Sequence, residues 1–156
     1  MTVEVGNKAP DFTALASNGE KVSLSDYKGK NVVLYFYPKD MTPGCTTEAC
    51  DFRDQHTSFE DLDAVILGVS PDPLASHEKF INKHDLPFLL VADEDHSVSE
   101  AYGVWQLKKN FGKEYMGVVR STFIIDKEGN LAKEWRKVKV DNHVTEALTF
   151  IKENLS

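Results

Sequence analysis

Four short runs of mostly apolar residues, rich in β-branched and aromatic types, recur along the chain. They lie at 31–37, 64–70, 87–93 and 121–126, and the first three are separated by helix-like, charged segments. The first run, NVVLYFY, is almost uninterrupted and is followed by Pro38, which is typical of a strand buried on both faces. Because strands that alternate with helices need right-handed crossovers, the pattern predicts a mainly parallel central sheet covered by helices.

The segments between the runs have helical periodicity. Ala49, Phe52, Phe59 and Leu62 recur at near-helical spacing after the first run, which predicts a helix that starts near Cys45. A second helix is expected from Leu74 to about His84. The last helix has its apolar residues at i, i+3, i+4, i+7 and i+11, with Asp141 or Asn142 as N-cap: Val144, Ala147, Leu148, Ile151 and Leu155.

Two segments have the pattern of β-hairpins. The stretch DFTALASNGEKVSLSDY alternates on either side of Asn18-Gly19, a dipeptide favoured in tight hairpin turns, and predicts an N-terminal hairpin. The stretch STFIIDKEGNLAKEWRKV predicts two strands joined by a turn around Gly129-Asn130. Residues 94–119 between the third and fourth runs look less regular. The whole order predicts an α/β domain of three layers with a mixed central sheet and an N-terminal hairpin.

Composition limits the number of domains and the kinds of partner. With 156 residues, 41% of them hydrophobic, the chain can bury roughly two thirds of its unfolded surface, so we expect one domain over residues 1–156. The 18 basic and 25 acidic residues give a formal net charge of -7, and no cluster of Lys and Arg resembles a phosphate-binding patch. Nucleic acid is therefore not an expected partner.

The N-terminal sequence and the cysteine content indicate a compartment. MTVEVGNKAPDF lacks the basic start and the continuous apolar core of a signal peptide, and no stretch is apolar enough for a membrane span. We therefore expect a soluble, cytoplasmic protein without a membrane partner. In a reducing compartment, the two cysteines of such a chain are more typical of reactive than of structural sulfur.

Cys45 lies where a helix is expected to begin, just beyond the carboxyl end of a buried strand. Functional loops in α/β sheets are found at this edge. Thr42 and Pro43 resemble an N-cap followed by a helix-compatible proline, and Gly44 lets backbone N–H groups approach a ligand closely. The positive end of the helix would stabilise a thiolate and an oxygen-bearing substrate. The alternative is a buried structural thiol, since free cysteine is often buried.

The spacing of Cys45 and Cys50 restricts what the pair can do. In a continuous helix their Cα atoms are roughly 8.7 Å apart, whereas a disulfide requires about 4.4–6.8 Å. A static disulfide is therefore disfavoured, and the histidines lack the paired spacing of a zinc site. The acidic run at 93–95 fits a solvated strand end better than a calcium loop. The pair is then either two unrelated thiols or two thiols that meet when the helix start unwinds.

The segment YPKDMTPGCTTEACDFRD resembles the active-site segment of the peroxiredoxins. Their motif P-x-x-x-T-x-x-C is present as Pro38, Thr42 and Cys45, and Cys50 resembles the second cysteine of the bacterioferritin comigratory protein subgroup, called peroxiredoxin Q in plants. APDF and RSTFIIDKEG resemble two further family signatures, the second of which carries the catalytic arginine. The resemblance extends over nearly the whole chain and implies a thioredoxin fold with an N-terminal β-hairpin extension.

The resemblance also implies a role for each matching residue. Cys45 would be the peroxidatic nucleophile and Cys50 the resolving thiol. Thr42 would offer its hydroxyl to the thiolate and to the peroxide, and Pro38 would shield the pocket from water. Arg120 would stabilise the thiolate and the charge that develops on the leaving oxygen, as attack on an O–O bond requires.

The implied activity is that of a thiol-dependent peroxidase in antioxidant defence. It would reduce hydrogen peroxide and organic hydroperoxides through a Cys45 sulfenic acid and a Cys45 to Cys50 intramolecular disulfide, with thioredoxin as the reductant. The resemblance implies a monomer without metal, haem, flavin or nucleotide cofactor, and the lack of nucleotide-binding glycine motifs agrees. Two alternatives are a disulfide oxidoreductase, weakened by the missing C-x-x-C, and a non-catalytic peroxide-sensing partner protein.

Several residues of the segment have a second interpretation. On residue type alone, Arg120 would be a surface charge at a strand edge, and Glu48 would either orient Arg120 or lie exposed on its helix. Met41 occupies a position where we expect a polar residue in relatives, which leaves the polarity of the pocket open. Trp105 and Trp135 are expected to be core or rim aromatics.

Overall fold

The computed structural model describes residues 4–110 and 112–155, so residues 1–3, 111 and 156 of the predicted domain lie outside it. Within the described residues the strands are β1 (Thr13–Leu15), β2 (Lys21–Ser23), β3 (Asn31–Phe36), β4 (Ala64–Ser70), β5 (Leu89–Ala92), β6 (Trp105–Asn110), β7 (Lys113–Val118), β8 (Ser121–Ile125) and β9 (Leu131–Arg136). The α-helices there are α1 (Pro43–Asp54), α2 (His56–Glu60), α3 (Leu74–His84), α4 (Ser97–Ala101) and α5 (His143–Asn154).

The central sheet has the strand order β5-β4-β3-β8-β9. Strands β3, β4 and β5 are parallel, as the alternation of strands and helices predicts. Strands β8 and β9 are antiparallel additions on the other side of β3. The predicted mixed sheet is therefore confirmed, with β3 at its centre and buried along its whole length.

Two apolar clusters cover the two faces of the sheet. Alternate residues of β3 serve opposite faces, since side chains along a strand point up and down in turn. Val32, Leu34 and Phe36 belong to a cluster that includes the N-terminal hairpin region and α4. Val33 and Tyr35 belong to a second cluster that includes α1, α2, α3 and α5. Helices on one face and the hairpin with α4 on the other form the predicted three layers.

The hairpins and the helices α3 and α5 agree with their sequence patterns. The helix predicted after the first run is divided, because α1 ends at Asp54, Phe59 belongs to α2, and Leu62 lies beyond both. β1 pairs with β2 as an antiparallel N-terminal hairpin, and Gly19 has a positive φ of 82° at its turn. Helix α3 has the predicted limits, while α1 begins two residues before Cys45, at Pro43. Asn142 is the N-cap position of α5, one of the two residues expected there.

The expectation of an irregular stretch at 94–119 is wrong. It contains α4 and an antiparallel hairpin of β6 and β7, which pair from Trp105↔Val118 to Asn110↔Lys113. The hairpin buries neither face well, and Leu107, Tyr115 and Met116 are exposed. Because neither face is buried, these strands lack the strict alternation of apolar and polar residues that identifies a strand in a sequence.

The expectation of a solvated strand end at 93–95 is also wrong for Asp93. Its side chain is buried and accepts hydrogen bonds from the N–H groups of Val98 and Ser99, at 3.0 and 2.9 Å. Asp93 thereby satisfies N–H groups at the start of α4 that have no partner within the helix. Among residues 4–110 and 112–155, every helix is too short or too polar to cross a bilayer.

Candidate active site

Cys45 lies in the first turn of α1, directly beyond the carboxyl end of β3. Thr42 is the N-cap residue with an extended backbone, and Pro43 is the first helical residue. The first helical hydrogen bond runs from the N–H of Thr46 to the carbonyl of Thr42 at 2.8 Å, so the N–H groups of Gly44 and Cys45 precede the hydrogen-bonded ladder. The sulfur of Cys45 is therefore in the positive field of the helix start while its side chain is only 2% exposed.

The antiparallel pairing of β3 and β8 brings Arg120 to the same place. Phe36 at the end of β3 is paired with Ser121 at the start of β8, so the residue before β8 lies at the edge of the sheet where α1 begins. Arg120 donates a hydrogen bond from Nη2 to Cys45 Sγ at 3.2 Å. The structure thus joins two residues that the sequence places in separate segments, and it holds a cation against the buried sulfur.

Glu48 completes this arrangement from the next turn of α1. Arg120 donates from Nη1 to Glu48 Oε1 at 2.8 Å, and the side chain of Glu48 is fully buried. Of its two interpretations, orientation of Arg120 is the one that agrees with this geometry. The second oxygen, Oε2, has no hydrogen-bond partner among the described residues. Burial raises the pKa of Glu48 from 4.5 to about 7, although the charge of Arg120 opposes the change.

The guanidinium of Arg120 stays charged in this setting. Burial lowers its pKa, but the negative charges of Glu48 and Cys45 and their hydrogen bonds raise it by more, so that the pKa lies above its ordinary value. Gly44 leaves the room that the guanidinium occupies, because a Cβ atom at position 44 would lie 3.2 Å from Nη2 of Arg120. A side chain there would press on the cation that contacts the sulfur.

The hydroxyl of Thr42 has a different partner from the one implied. Among the described residues, the hydroxyl of Thr42 donates to the carbonyl of Lys39 at 2.9 Å, not to Cys45 or to a helical N–H. The implied bond from Thr42 to the sulfur is therefore not formed here. Pro38 is half-buried at the end of β3. Met41 is 41% exposed and has a positive φ of 67°.

A buried polar network fixes the loop between β3 and α1. The carboxylate of Asp40 accepts hydrogen bonds from Tyr37 Oη at 2.6 Å and from Ser76 Oγ at 2.8 Å, and its Oδ2 lies 2.7 Å from Nδ1 of His77. The other ring nitrogen of His77 faces the carbonyl of Val91 at 3.0 Å. Both ring nitrogens of His77 thus lie within hydrogen-bond distance of an oxygen atom, Asp40 Oδ2 on one side and the carbonyl of Val91 on the other.

The same network contains the group of potential metal ligands found among the described residues. Ligand atoms of Asp40, Asp72 and His77 lie within 4.8 Å of one another. The backbone N–H of Asp40 and the hydroxyl of Ser70 both donate to Asp72 Oδ2 at 2.7 Å. Because these oxygens already accept hydrogen bonds from the protein, the cluster is satisfied as a network that joins the loop to the start of α3.

Cys50 lies on the same continuous helix as Cys45, and both thiols are free. The intact helix keeps the two residues on different faces and outside disulfide distance, as their spacing predicts. Cys45 is buried, whereas Cys50 is partly exposed. The sulfur of Cys50 lies 3.8 Å from Nδ1 of His84, the last residue of α3.

His143 lies behind the cluster, at the start of α5. Its Nε2 is 2.8 Å from the hydroxyl of Thr122 in β8, and its side chain is buried. Burial lowers the pKa of His143 to about 4, and the charge of Arg120 adds to the effect. The imidazole is consequently neutral at pH 7. Of the two tryptophans, Trp135 packs against the apolar cluster under α5, and Trp105 stacks on His96 with ring centroids 3.7 Å apart.

Sequence reasoning missed three residues that the structure brings to this region. Asp40 stands in the quoted segment, but nothing in the sequence marks it as buried. His77 and His84 lie on one face of α3 with Phe80, at i, i+3 and i+7, and this periodicity was the available signal. A polar residue on the apolar face of a helix needs a partner, and Asp40 supplies it for His77.

The geometry suits nucleophilic chemistry at sulfur. A buried sulfur is held at a helix start and accepts a hydrogen bond from a fixed arginine, two features that stabilise a thiolate. The same arginine and the N–H groups that precede the helical ladder can hold negative charge on an oxygen beside the sulfur. A second thiol lies on the same helix and becomes accessible to the first only through a change in backbone conformation.

Comparisons with known proteins agree with this chemistry. The AhpC/TSA family matches residues 5–134. Peroxiredoxin Bcp of Bacillus subtilis strain 168 is 68% identical over 153 residues, with 98% of each chain covered. The solved structure of Xylella fastidiosa PrxQ has a TM-score of 0.94 at 34% identity and covers 100% of this chain and 99% of that chain. A structure of the Xanthomonas campestris bacterioferritin comigratory protein, concerned with that protein's alkyl peroxide reduction activity, has a TM-score of 0.92 at 38% identity and covers 98% and 100%.

Proposed function

The chain belongs to the AhpC/TSA family, within the bacterioferritin comigratory protein and peroxiredoxin Q group, and from this premise we propose how its two cysteines work. It is a thiol-dependent peroxidase. The implied thioredoxin fold with an N-terminal hairpin is confirmed by structural relatives with TM-scores of 0.92 and 0.94. The observation that carries the mechanism is the 3.2 Å contact between Arg120 and Cys45 at the start of α1.

The first step is attack of the Cys45 thiolate on a peroxide. Its substrates are hydrogen peroxide and organic hydroperoxides, a proposal supported by the alkyl peroxide reduction activity of the Xanthomonas campestris relative. A lone pair of sulfur forms the S–O bond while the O–O bond breaks, and the leaving oxygen takes up a proton to become water or an alcohol. Cys45 becomes a sulfenic acid. Arg120 stabilises the thiolate before attack and the leaving oxygen afterwards.

Pro38 and Thr42 act on the same step. Pro38, at the end of β3, excludes water from the sulfur. At present the hydroxyl of Thr42 donates to the carbonyl of Lys39, and a rotation about its side-chain torsion would turn it away from this acceptor. Turning to the pocket when peroxide binds, it would donate to the peroxide oxygen and leave the loop otherwise unchanged.

Resolution is the second step and uses Cys50. The first turn of α1 unwinds, Cys45 approaches Cys50, and the thiol displaces the sulfenic oxygen as water to form an intramolecular disulfide. Local unfolding at the end of a helix requires much less free energy than global unfolding. Free thiols in an intact helix, as seen here, are the expected resting state of such a cycle.

An external dithiol then reduces the disulfide and completes turnover. We assign this role to thioredoxin, acting on a single-domain monomer in the cytoplasm, where such a reductant is maintained. The alternative of a disulfide oxidoreductase lacks support because the two thiols are five positions apart on an intact helix. The alternative of a peroxide sensor differs from the enzyme in having no turnover.

Two serine variants test the proposed cycle. Cys45→Ser is expected to abolish peroxide consumption. Cys50→Ser is expected to retain one rapid oxidation, trapped as a sulfenic acid by dimedone, and to lose turnover driven by thioredoxin. In the wild-type protein, titration with peroxide should give a monomer lighter by two hydrogens in the mass spectrum. Full peroxidase activity in Cys45→Ser would disprove the proposal.

A further inference from the structure

Cys50 has a specific neighbour on a different helix. Its Sγ lies 3.8 Å from Nδ1 of His84, within hydrogen-bond distance for sulfur. Cys50 belongs to the second half of α1 and His84 is the last residue of α3. The contact therefore lies outside the first turn of α1, which the proposed resolution step unwinds, and it can persist while Cys45 moves.

Two contacts hold His84 in place, one at its backbone and one at its ring. Arg53 of α1 donates from Nη1 to the backbone carbonyl of His84 at 2.8 Å, which ties the end of α3 to the helix that carries Cys50. The ring of Phe80, one turn earlier, meets the imidazole edge-on at a centroid distance of 5.4 Å. His84 is half-buried, so its ring contacts Cys50 and can still exchange protons with solvent.

We propose that His84 is the catalytic base of the resolving step. This inference rests on the proposed peroxidase cycle and adds a residue to its second step. A thiol is a weak nucleophile until it loses its proton, and an imidazole within reach of the sulfur is a common acceptor. Cys45 has Arg120 and the helix start to stabilise its thiolate, while Cys50, near the middle of α1, lacks that helix start. His84 instead activates Cys50 by accepting the proton of its thiol.

The atoms and electrons of the step balance without another reagent. Nδ1 of neutral His84 accepts the proton of the Cys50 thiol, and the freed lone pair of Sγ forms a bond to the Cys45 sulfur. The S–O bond of the sulfenic acid breaks, and its electron pair leaves with the hydroxyl. That hydroxyl takes up the proton that His84 has released to solvent and departs as water. The Cys50 sulfur is oxidised and the Cys45 sulfur is reduced.

Other charges near the pair will shape its pH dependence. Arg53 interacts with Cys50 and Asp85, and it forms an ion pair with Asp54 at 3.0 Å. Lys83 precedes His84 on α3 and is exposed. All of these charged groups are retained when only His84 is replaced. A pH dependence of the resolution rate that disappears on replacement of His84 is then assigned to its imidazole.

Single-turnover kinetics of His84→Gln test the inference. With peroxide in excess, dimedone trapping measures sulfenic acid on Cys45, and the mass spectrum of the quenched protein measures the disulfide. We expect Cys45 oxidation to stay within about twofold of wild type and disulfide formation to slow by about 100-fold or more, the lower end of general base effects. The resolution rate of the variant should also depend less on pH than that of the wild-type protein.

A second variant separates proton transfer from packing. In His84→Ala, added imidazole should restore at least part of the resolution rate in proportion to its concentration, an effect that a purely structural role would not give. His56→Gln is the matched control, because His56 pairs with Glu60 on α2 and not with a cysteine. Disulfide formation at the wild-type rate in His84→Gln, or no response to imidazole in His84→Ala, would overturn the inference. Failure of the wild-type protein to oxidise Cys45 would instead refute the proposed function.

Discussion

Arg120 contacts Cys45 and Glu48 at the same time, through two different nitrogens of one guanidinium, at 3.2 and 2.8 Å. The sulfur and the carboxylate belong to successive turns of α1, so the planar fork spans the distance between them. Lysine carries one nitrogen and has no such fork. The orientation of the cation toward the sulfur therefore depends on the guanidinium as well as on its charge.

Replacement of Arg120 by lysine should consequently slow the first step. We expect Arg120→Lys to oxidise Cys45 about 100-fold more slowly, at the scale of losing one preorganised donor to a developing oxyanion. Stopped-flow measurement with hydrogen peroxide gives the rate. Arg136→Lys is the matched control, since Arg136 donates to the carbonyls of Gly103 and Tyr102 away from the sulfur. Equal rates for Arg120→Lys and the wild type would contradict the assignment.

Glu48→Gln should change how stability depends on pH. The pKa of Glu48 is 4.5 in its ordinary state and about 7 in the fold, so the native state binds the extra proton and loses stability as pH rises between these values. The difference corresponds to at most about 3 kcal/mol. In Glu48→Gln this loss should disappear, which urea unfolding at pH 4.5 and pH 7 would measure. The same change of stability with pH in variant and wild type would refute the prediction.

His143→Gln should reveal the opposite dependence. The pKa of His143 falls from 6.5 to about 4 on folding, so the unfolded state binds more protons and stability is lost as pH falls between these values. Between pH 4.5 and 6.5 the two groups have opposite effects on stability: with rising pH, His143 increases the free energy of unfolding and Glu48 decreases it. In urea titrations, the free energy of unfolding of His143→Gln should therefore fall more steeply with rising pH than that of the wild type. An unchanged slope would show that His143 is not kept neutral by the fold.

The pair of Asp40 and His77 is expected to hold the loop that precedes Cys45. Asp40→Ala leaves His77, Tyr37 and Ser76 without their acceptor in a buried site, and each buried polar group left unsatisfied costs about 1–3 kcal/mol. Chemical unfolding should show a loss of this size, and Cys45 oxidation should slow because Thr42 is displaced. Asp63→Asn is the control, since Asp63 forms an exposed ion pair with Lys127 and should cost less than about 1 kcal/mol. A comparable loss in both variants would argue against a special role for Asp40.

The sequence was most informative where one residue pattern determines one structure. The buried run at 31–37, the N-cap pattern of Thr42 and Pro43 and the periodicity of α1 locate Cys45 at a helix start without any tertiary information. Arg120 is different, because only the family resemblance connected it with Cys45. Its approach depends on the pairing of Phe36 with Ser121 across two strands that are distant in the chain.

Some of the features that sequence reasoning missed depend on long-range contacts. Burial of Glu48 and Asp40 follows from what packs above them, and a charged residue on a helix or loop is normally exposed. The β6–β7 hairpin has no buried face, so its strands lack the alternating pattern that identifies a strand. The position of Thr42 was predicted, but its hydrogen bond to Lys39 was not.

The antiparallel pairing of β3 with β8 has a consequence for biosynthesis. Cys45 and Arg120 are 75 positions apart, so their contact forms only when a late, non-local part of the sheet has assembled. In a chain still emerging from the ribosome, Cys45 is present while Arg120 has not yet been translated. We expect the Cys45 thiol of such a nascent chain to lack its contact with Arg120, so that full reactivity with peroxide is acquired only after β8 pairs with β3.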